Sequence, residues 1–464
     1  MRCVLLTAVA FLASLLLFPV PAQAQSLRYF DINGSTAGSG APGGVFFLWA
    51  TDVLEYWSTS SGGTSSTQLW QNGQIAVFGA GSDCWGVQTD LAGFNGPTMA
   101  GIRLEECDVT MSNNTLVLVG SGTELHTAGS LELSVSSQLD WPGTGFIRKT
   151  GSGLLEFVGA TGDDGTPAVT DFDLEAGTLR LASSSSTNWF GGTSSADLTV
   201  GTGAGAANLD LGTADQLRDT TVVDLVDGAF RLNGHDETIR GLTGSGSVIG
   251  GGLLTINANS SDHLFSGSLT DGGTVASLTV RGTGSQRFDG LLEHSGATLV
   301  DSGGRLIIGG TLAASNVSVD NGELVSAGGE FQDIAIATSG TFELGIGTTL
   351  ANQLAWNNGS TAQWVLGPTA TVGDSAAVTA SSLDAISDGT LTIRIDPSSN
   401  VPVSAQSYPL ITYAAGSVSV GNFTVDDAGL LDDRDVTVRL ESGTVWLDIG
   451  PLDGVFEDRF ESSP

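Results

Sequence analysis

The chain has 464 residues, with 16 Lys and Arg against 50 Asp and Glu, a formal net charge of −34. That field argues against nucleic acid and anionic lipid as partners, because both are held by clustered Lys and Arg that neutralise phosphate. Glycine is abundant at 66 residues, yet a hydrophobic content of 40% is enough for a core wherever apolar residues recur at regular spacing.

The chain opens on an export signal, residues 1–24. Arg2, an apolar run from Val4 to Val20 and the small-residue pattern Ala22-Gln23-Ala24 predict removal after Ala24. No later stretch reaches the roughly 18 apolar residues of a spanning helix, so no integral membrane segment is expected in the mature chain. Loss of Arg2 makes the balance 15 − 50, or −35. Cys3 leaves with the signal. Cys84 and Cys107 remain, an even pair bound for an oxidising compartment, and are predicted to form a disulfide contributing about 3 kcal/mol. With no further cysteine, a Cys-rich zinc site is not expected.

Residues 25–100 are predicted to form an N-terminal cap with the first coils, since Trp49, Trp57, Trp70 and Trp85 crowd into them. From 101 to 350 a short kernel, roughly Gly-x-Leu-x-Leu, recurs around Leu131, Leu155, Leu179, Leu209, Phe230, Leu254, Leu278, Leu306, Leu324 and Phe342. The intervals are 24, 24, 30, 21, 24, 24, 28, 18 and 18 residues. Each kernel alternates apolar with polar residues, the period of a strand with one face in a core. A unit holding one such strand cannot bury its own apolar face, so neighbours must stack on it. Turns too long for tight hairpins and the absence of crossover helices favour an all-β parallel β-helix; an antiparallel sandwich is the alternative. From about Ala351 the kernel spacing breaks down. Residues 351–449 are expected to be a C-terminal β module that closes the solenoid, and residues 450–464 an acidic tail containing Phe456 and Phe460.

Two stretches carry a family resemblance. The first runs from Tyr29-Phe30-Asp31-Ile32-Asn33-Gly34-Ser35-Thr36-Ala37-Gly38 through Tyr56-Trp57-Ser58-Thr59 to Ala76-Val77-Phe78. The second is Leu232-Asn233-Gly234, then Thr238-Ile239, then Gly241-Leu242-Thr243-Gly244-Ser245-Gly246. Together they resemble bacterial proteins with autotransporter-associated β-strand repeats. The resemblance implies a right-handed β-helix carried outside the cytoplasm, often as the passenger of an autotransporter. The ending Glu461-Ser462-Ser463-Pro464 departs from that pattern, because the expected amphipathic strands of a C-terminal barrel are not found. The preceding Phe456-Glu457-Asp458-Arg459-Phe460-Glu461 looks like a short tail of some exported Gram-negative proteins.

The sequence offers no clear catalytic constellation. If the kernels stack in phase, Glu132 and Glu156 are adjacent, near the carboxylate separation of a retaining glycosidase. The same phase continues through Arg180, Asp210 and Arg231, so a surface ladder of alternating charge is the preferred reading. His235, His263 and His294 fall at different phases, which predicts separate surface residues and no shared metal. Asp426-Asp427 and Asp432-Asp433 lie in an oxygen-rich stretch, but without the spacing of a calcium loop. No catalytic, cofactor-binding or metal residue is expected. The sequence therefore predicts an exported, non-enzymatic solenoid with a structural and adhesive role at the cell surface or outside the cell, meeting a surface or glycan ligand. The alternative is a β-helix that binds or degrades polysaccharide.

Overall fold

The computed structural model describes residues 25–452, apart from 52–53, 92–96, 121, 141–145, 160–170, 185–196, 203–205, 370, 372–373, 402–403, 428 and 432–433. The export signal and most of the tail lie outside the described residues. Among the described residues helix is confined to two single 3₁₀ turns, Ile386–Asp388 and Val420–Asn422. The rest is strand and turn, wound as a parallel β-helix. Strands next to each other across the ladder are parallel throughout the coils, which removes the sandwich alternative.

Three ladders run along the rod. The first face includes Leu27–Phe30, Gln74–Phe78 and Thr98–Leu104 and continues to Phe423–Asp426. The second begins at Val45–Trp49 and Val87–Leu91. The third shows Thr115–Leu118 and Gln138–Asp140 near the start, then Glu237–Ile239, Gly252–Asn257, Ala276–Arg281 and Thr298–Asp301. Further on, single strands such as Gly347–Trp356 and Ala376–Ala385 run round the corner from the second face onto the third.

Register shows why the kernel intervals are uneven. Leu155, Leu179, Leu209 and Phe230 stack on the second face. Leu254 and Leu278 stack on the third, and Leu306, Leu324 and Phe342 on the first. The expectation of one phase is therefore corrected: the kernel is a generic inward-facing strand, and it occurs on each face in turn. Measured on one face, Phe265, Phe288, Ile308, Ser326, Leu344 and Trp364 are in register, so successive coils take 23, 20, 18, 18 and 20 residues. The first kernel is displaced by two residues from the centre expected at Leu131. Leu133, not Leu131, pairs with Leu155.

The bore is filled by fully buried Leu, Val, Ile and Phe from all three faces. Each such side chain contributes roughly 1.5–3 kcal/mol over an exposed one. Glycine has a positional task at one corner. Gly246, Gly267, Gly290 and Gly310 each stand just before a second-face strand, and a Cβ on each would overlap the carbonyl oxygen of the glycine one coil earlier, Gly228 for the first. Close backbone approach, rather than an unusual φ, fixes the residue type there.

The two ends are built differently. At the start, Trp57–Ser58 pairs antiparallel with Leu27–Phe30. At the finish, Thr444–Ile449 pairs antiparallel with Gln406–Gly416, and Val436–Glu441 pairs antiparallel with Thr444–Ile449.

Candidate binding surface

Strand Val45–Trp49 is alternately buried and exposed. Phe47 and Trp49 point into the bore and join Phe30, Trp57, Trp70 and Phe78 in an aromatic plug. Ring centroids are 4.7 Å apart for Trp49–Trp57, 4.7 Å for Trp57–Trp70 and 5.0 Å for Phe30–Phe47. Offset and edge contacts of this kind add to the area they bury. By the same alternation Phe46 and Leu48 face solvent, 64% and 48% exposed. Trp85, 76% exposed, projects from the corner leading into Val87–Leu91, whose Gln88 lies beside Phe46. Trp85 and Phe46 are the two most exposed large apolar side chains among the described residues, and both lie at this end. Of the four tryptophans that sequence assigns to the cap, three are buried and Trp85 is not.

The backbone beneath this patch is braced by a covalent link and hydrogen bonds. Cys84 and Cys107 are joined by a disulfide, with Cα atoms 5.3 Å apart, so the residue before Trp85 is tied to the next coil. Trp85 N–H donates to the Ala41 carbonyl (3.2 Å). The loop leading into Ala41 is pinned from inside. With its nitrogen turned inward, the Asn33 amide donates to Asp31 Oδ1 (2.9 Å), Thr36 O (2.6 Å) and Gly38 O (3.2 Å), while its oxygen accepts from Gly40 N (3.2 Å). Asp83 accepts from the Ser39 N–H, the Ser39 hydroxyl (2.9 Å) and Gly40 N (3.1 Å). These are the residues of the family-like opening, and their roles are local hydrogen bonds. Burial, with Asp83 adding, pushes the Asp31 carboxyl above its ordinary range. Burial and then Asp83 do the same to Glu106. This end is strongly anionic.

The carboxylates expected to be adjacent are not. Glu132 is in register with Leu154, and Glu156 with Ser134, because the first kernel is displaced by two residues. Burial, followed by Glu156 and Asp108, raises the Glu132 carboxyl. The alternating ladder is present: Glu156, Arg180, Asp210 and Arg231 are in register, with Arg180–Glu156 and Arg231–Asp210 both at 3.5 Å. A carboxylate pair does form elsewhere, on Arg305, which meets Glu323 at 2.7 Å and Glu343 at 2.9 Å. Burial and contact with Glu343 raise the Glu323 carboxyl. One guanidinium engages both groups, so the arrangement clamps three coils and leaves no gap for a substrate between acid and base.

Histidine placement is partly corrected. His235 and His263 are half-buried, but His294, expected at the surface, is fully buried. Its Nε2 lies 2.8 Å from Thr298 Oγ1, which lies 2.8 Å from Ser315 Oγ, and burial pulls the imidazole down to about 4. Two further buried groups escaped the sequence reading. Lys149 donates to the carbonyls of Thr150 (3.0 Å), Gly151 (2.8 Å) and Ala176 (3.1 Å), and burial lowers it to about 8. Glu237 accepts from the N–H groups of Gln216 (2.8 Å), Leu217 (3.2 Å) and Thr238 (3.2 Å), and burial raises it to about 8. Their inward parity was readable, since Lys149 follows Ile147 by two and Glu237 precedes Ile239 by two. Charge argued against an interior place.

In the acidic stretch, Asp426 pairs with Arg394 at 2.9 Å and Asp427 accepts from Gly429 N at 3.1 Å. Asp432 and Asp433 lie outside the described residues. Among the described residues no group of three His, Cys, Asp or Glu is placed to hold a metal ion, and no helix is long and apolar enough to cross a membrane.

No protein-family model matches the chain. It is similar to the Adhesin BmaC autotransporter of Brucella suis biovar 1 (strain 1330), 26% identical over 340 residues, which is 72% of this chain and 9% of that protein. The chain thus corresponds to less than a tenth of the relative's length.

Proposed function

We propose that this chain is an exported, non-catalytic β-solenoid that acts as a structural and adhesive element at the cell surface or outside the cell. The observation that carries the reading is the exposed trio Phe46, Leu48 and Trp85 on a disulfide-braced end of a rigid rod. Large apolar side chains held out to solvent on braced backbone bind at low entropic cost. Similarity to an autotransporter adhesin supports both the adhesive role and the location. Within this reading residues 25–100 serve as the N-terminal end piece, 101–350 as the rod and 351–449 as the closing module, with 450–464 a tail.

Beads coated with the mature chain, presented to bacterial and host cells, test the proposal. Adhesion by the parent and its reduction in Phe46→Ser/Trp85→Ser is the expected outcome. Release of reducing or unsaturated sugars from polysaccharide by the pure protein, lost in Glu156→Gln or Glu323→Gln, would replace this reading with the enzymatic one.

A further inference from the structure

The patch described above sits on a sheet edge. Val45–Trp49 is the first strand of the second face, and it pairs with Val87–Leu91 alone among the described residues. Val45 N–H donates to Gly86 O (3.0 Å). In a parallel ladder N–H and C=O of one residue point to the same side and alternate along the strand. The main-chain groups of Val45, Phe47 and Trp49 are therefore spent on the neighbouring strand, and those of Phe46 and Leu48 face the outer edge.

Edges of this kind are normally blunted by charge, proline, a bulge or a covering segment. The first face is covered here by Trp57–Ser58. At the opposite end of the molecule the outermost strand, Val436–Glu441, carries Arg439 and Glu441. Val45-Phe46-Phe47-Leu48-Trp49 has no charge, no proline and no glycine. Around it the field is one-sided, because residues 25–112 hold eight acidic side chains against Arg28 and Arg103.

We infer that the outer edge of Val45–Trp49 is a strand-addition site for an extended segment of a partner protein, apolar on alternate residues and basic between them. The inference rests on the adhesive reading and names the partner chemistry for it. Main-chain pairing with Phe46 and Leu48 supplies affinity, apolar side chains lie against Phe46 and Leu48, and basic residues answer the acidic field. A second copy of this chain is disfavoured by the same charge.

The test uses the mature full-length chain and a short fluorescein-labelled peptide alternating Val or Thr with Lys, with a Glu-for-Lys counterpart. Fluorescence anisotropy is expected to show saturable binding of the Lys peptide that weakens as salt is raised, and binding of the Glu peptide at least tenfold weaker. Leu48→Pro removes an edge N–H without touching the ladder to Val87–Leu91 and is expected to weaken binding at least tenfold. Phe46→Lys/Leu48→Lys, which leaves the backbone free, is expected to do the same, so a folding defect in the proline variant does not decide the matter. Leu291→Lys, on a distant coil, is the control and keeps parental affinity. Parental affinity in Phe46→Lys/Leu48→Lys, or no binding of the Lys peptide by the parent, overturns the inference. Binding on a glycan array that is lost in Trp85→Ser but kept in Leu48→Pro also overturns it. Cell adhesion measured alongside separates the two claims: a parent that adheres but ignores the peptide retains its adhesive role and loses the edge site. A parent that binds the peptide and does not adhere keeps the edge site and loses the adhesive role.

Discussion

The two ends of the rod solve the same problem with different means. Both fill the bore with large aromatic groups, Trp49, Trp57 and Trp70 at one end and Trp356, Trp364 and Tyr408 at the other, all buried. At the far end the Tyr408 hydroxyl donates to Gly367 O (2.8 Å) and Trp356 Nε1 to Gly389 O (3.1 Å), while Trp364 Nε1 finds no acceptor among the described residues, and an antiparallel pair of strands lies over the last long strand. The near end adds a disulfide and leaves one strand edge without a pairing strand among the described residues. Two antiparallel strands cover the second face at one end, whereas at the other a single short antiparallel strand covers the first face and a covalent link braces the second. A terminal coil has one stacked neighbour in place of two, so each end depends on these local devices.

Truncation of the plugs gives the largest expected effects. Trp57→Ala and Trp364→Ala should each cost about 3–5 kcal/mol. Hydrogen exchange should show loss of protection confined to the mutated end. Loss at both ends in either variant would mean that the rod melts as one unit and that the ends are not separate. Cys84→Ser is next, at about 3 kcal/mol for a loop of this size. It should expose residues 25–112 to exchange while 376–449 stay protected, and an identical change in both segments would remove the contrast.

Buried charge in the middle of the rod provides a pH test that touches neither end. The Glu237 carboxyl stands at about 8 in the folded chain against an ordinary 4.5. The folded state keeps a proton that the unfolded chain releases, so this contribution is complete below about pH 4.5 and is lost as pH rises toward 8. His294 has the opposite sign. Its folded value of about 4 lies below the ordinary 6.5, so its contribution is present above pH 6.5 and is lost as pH falls through 4. Urea melts at pH 5, 6.5 and 8 should show a stability difference between parent and Glu237→Gln that changes across this range, with the parent losing ground as pH rises. The smallest effect is Arg180→Ser on the outer ladder, below about 1 kcal/mol because the pair with Glu156 is half in water. A larger loss would show that outer ladders hold the coils together as strongly as the ends do.

The solenoid was legible because period-two alternation and coil-length recurrence are direct consequences of stacking. Column assignment was not. Leu254 and Leu306 satisfy the same kernel as Leu179, and nothing local distinguishes three faces that all bury the same parity. Position within a coil follows from corner lengths, which vary from coil to coil. His294 and Lys149 were misjudged or missed for another reason: hydropathy weighs the side chain alone, while the interior place depends on Thr298 or on three carbonyls supplied by neighbouring residues. Trp85 differs from Trp49 only in standing at a corner and not on an inward strand position. The exposed apolar surface was therefore the least legible part, since exposure at an end is decided by what the next coil does or does not cover.

Glycine before successive second-face strands gives the gene a set of equivalent joints. Gly246, Gly267, Gly290 and Gly310 share one corner, one clearance and one following strand. A recombination event that splices the codon of one to the codon of another deletes or duplicates a whole turn and leaves every inward column continuous. The length of the rod can thus drift by complete coils over generations while both ends, with their separate closures, are carried along unchanged.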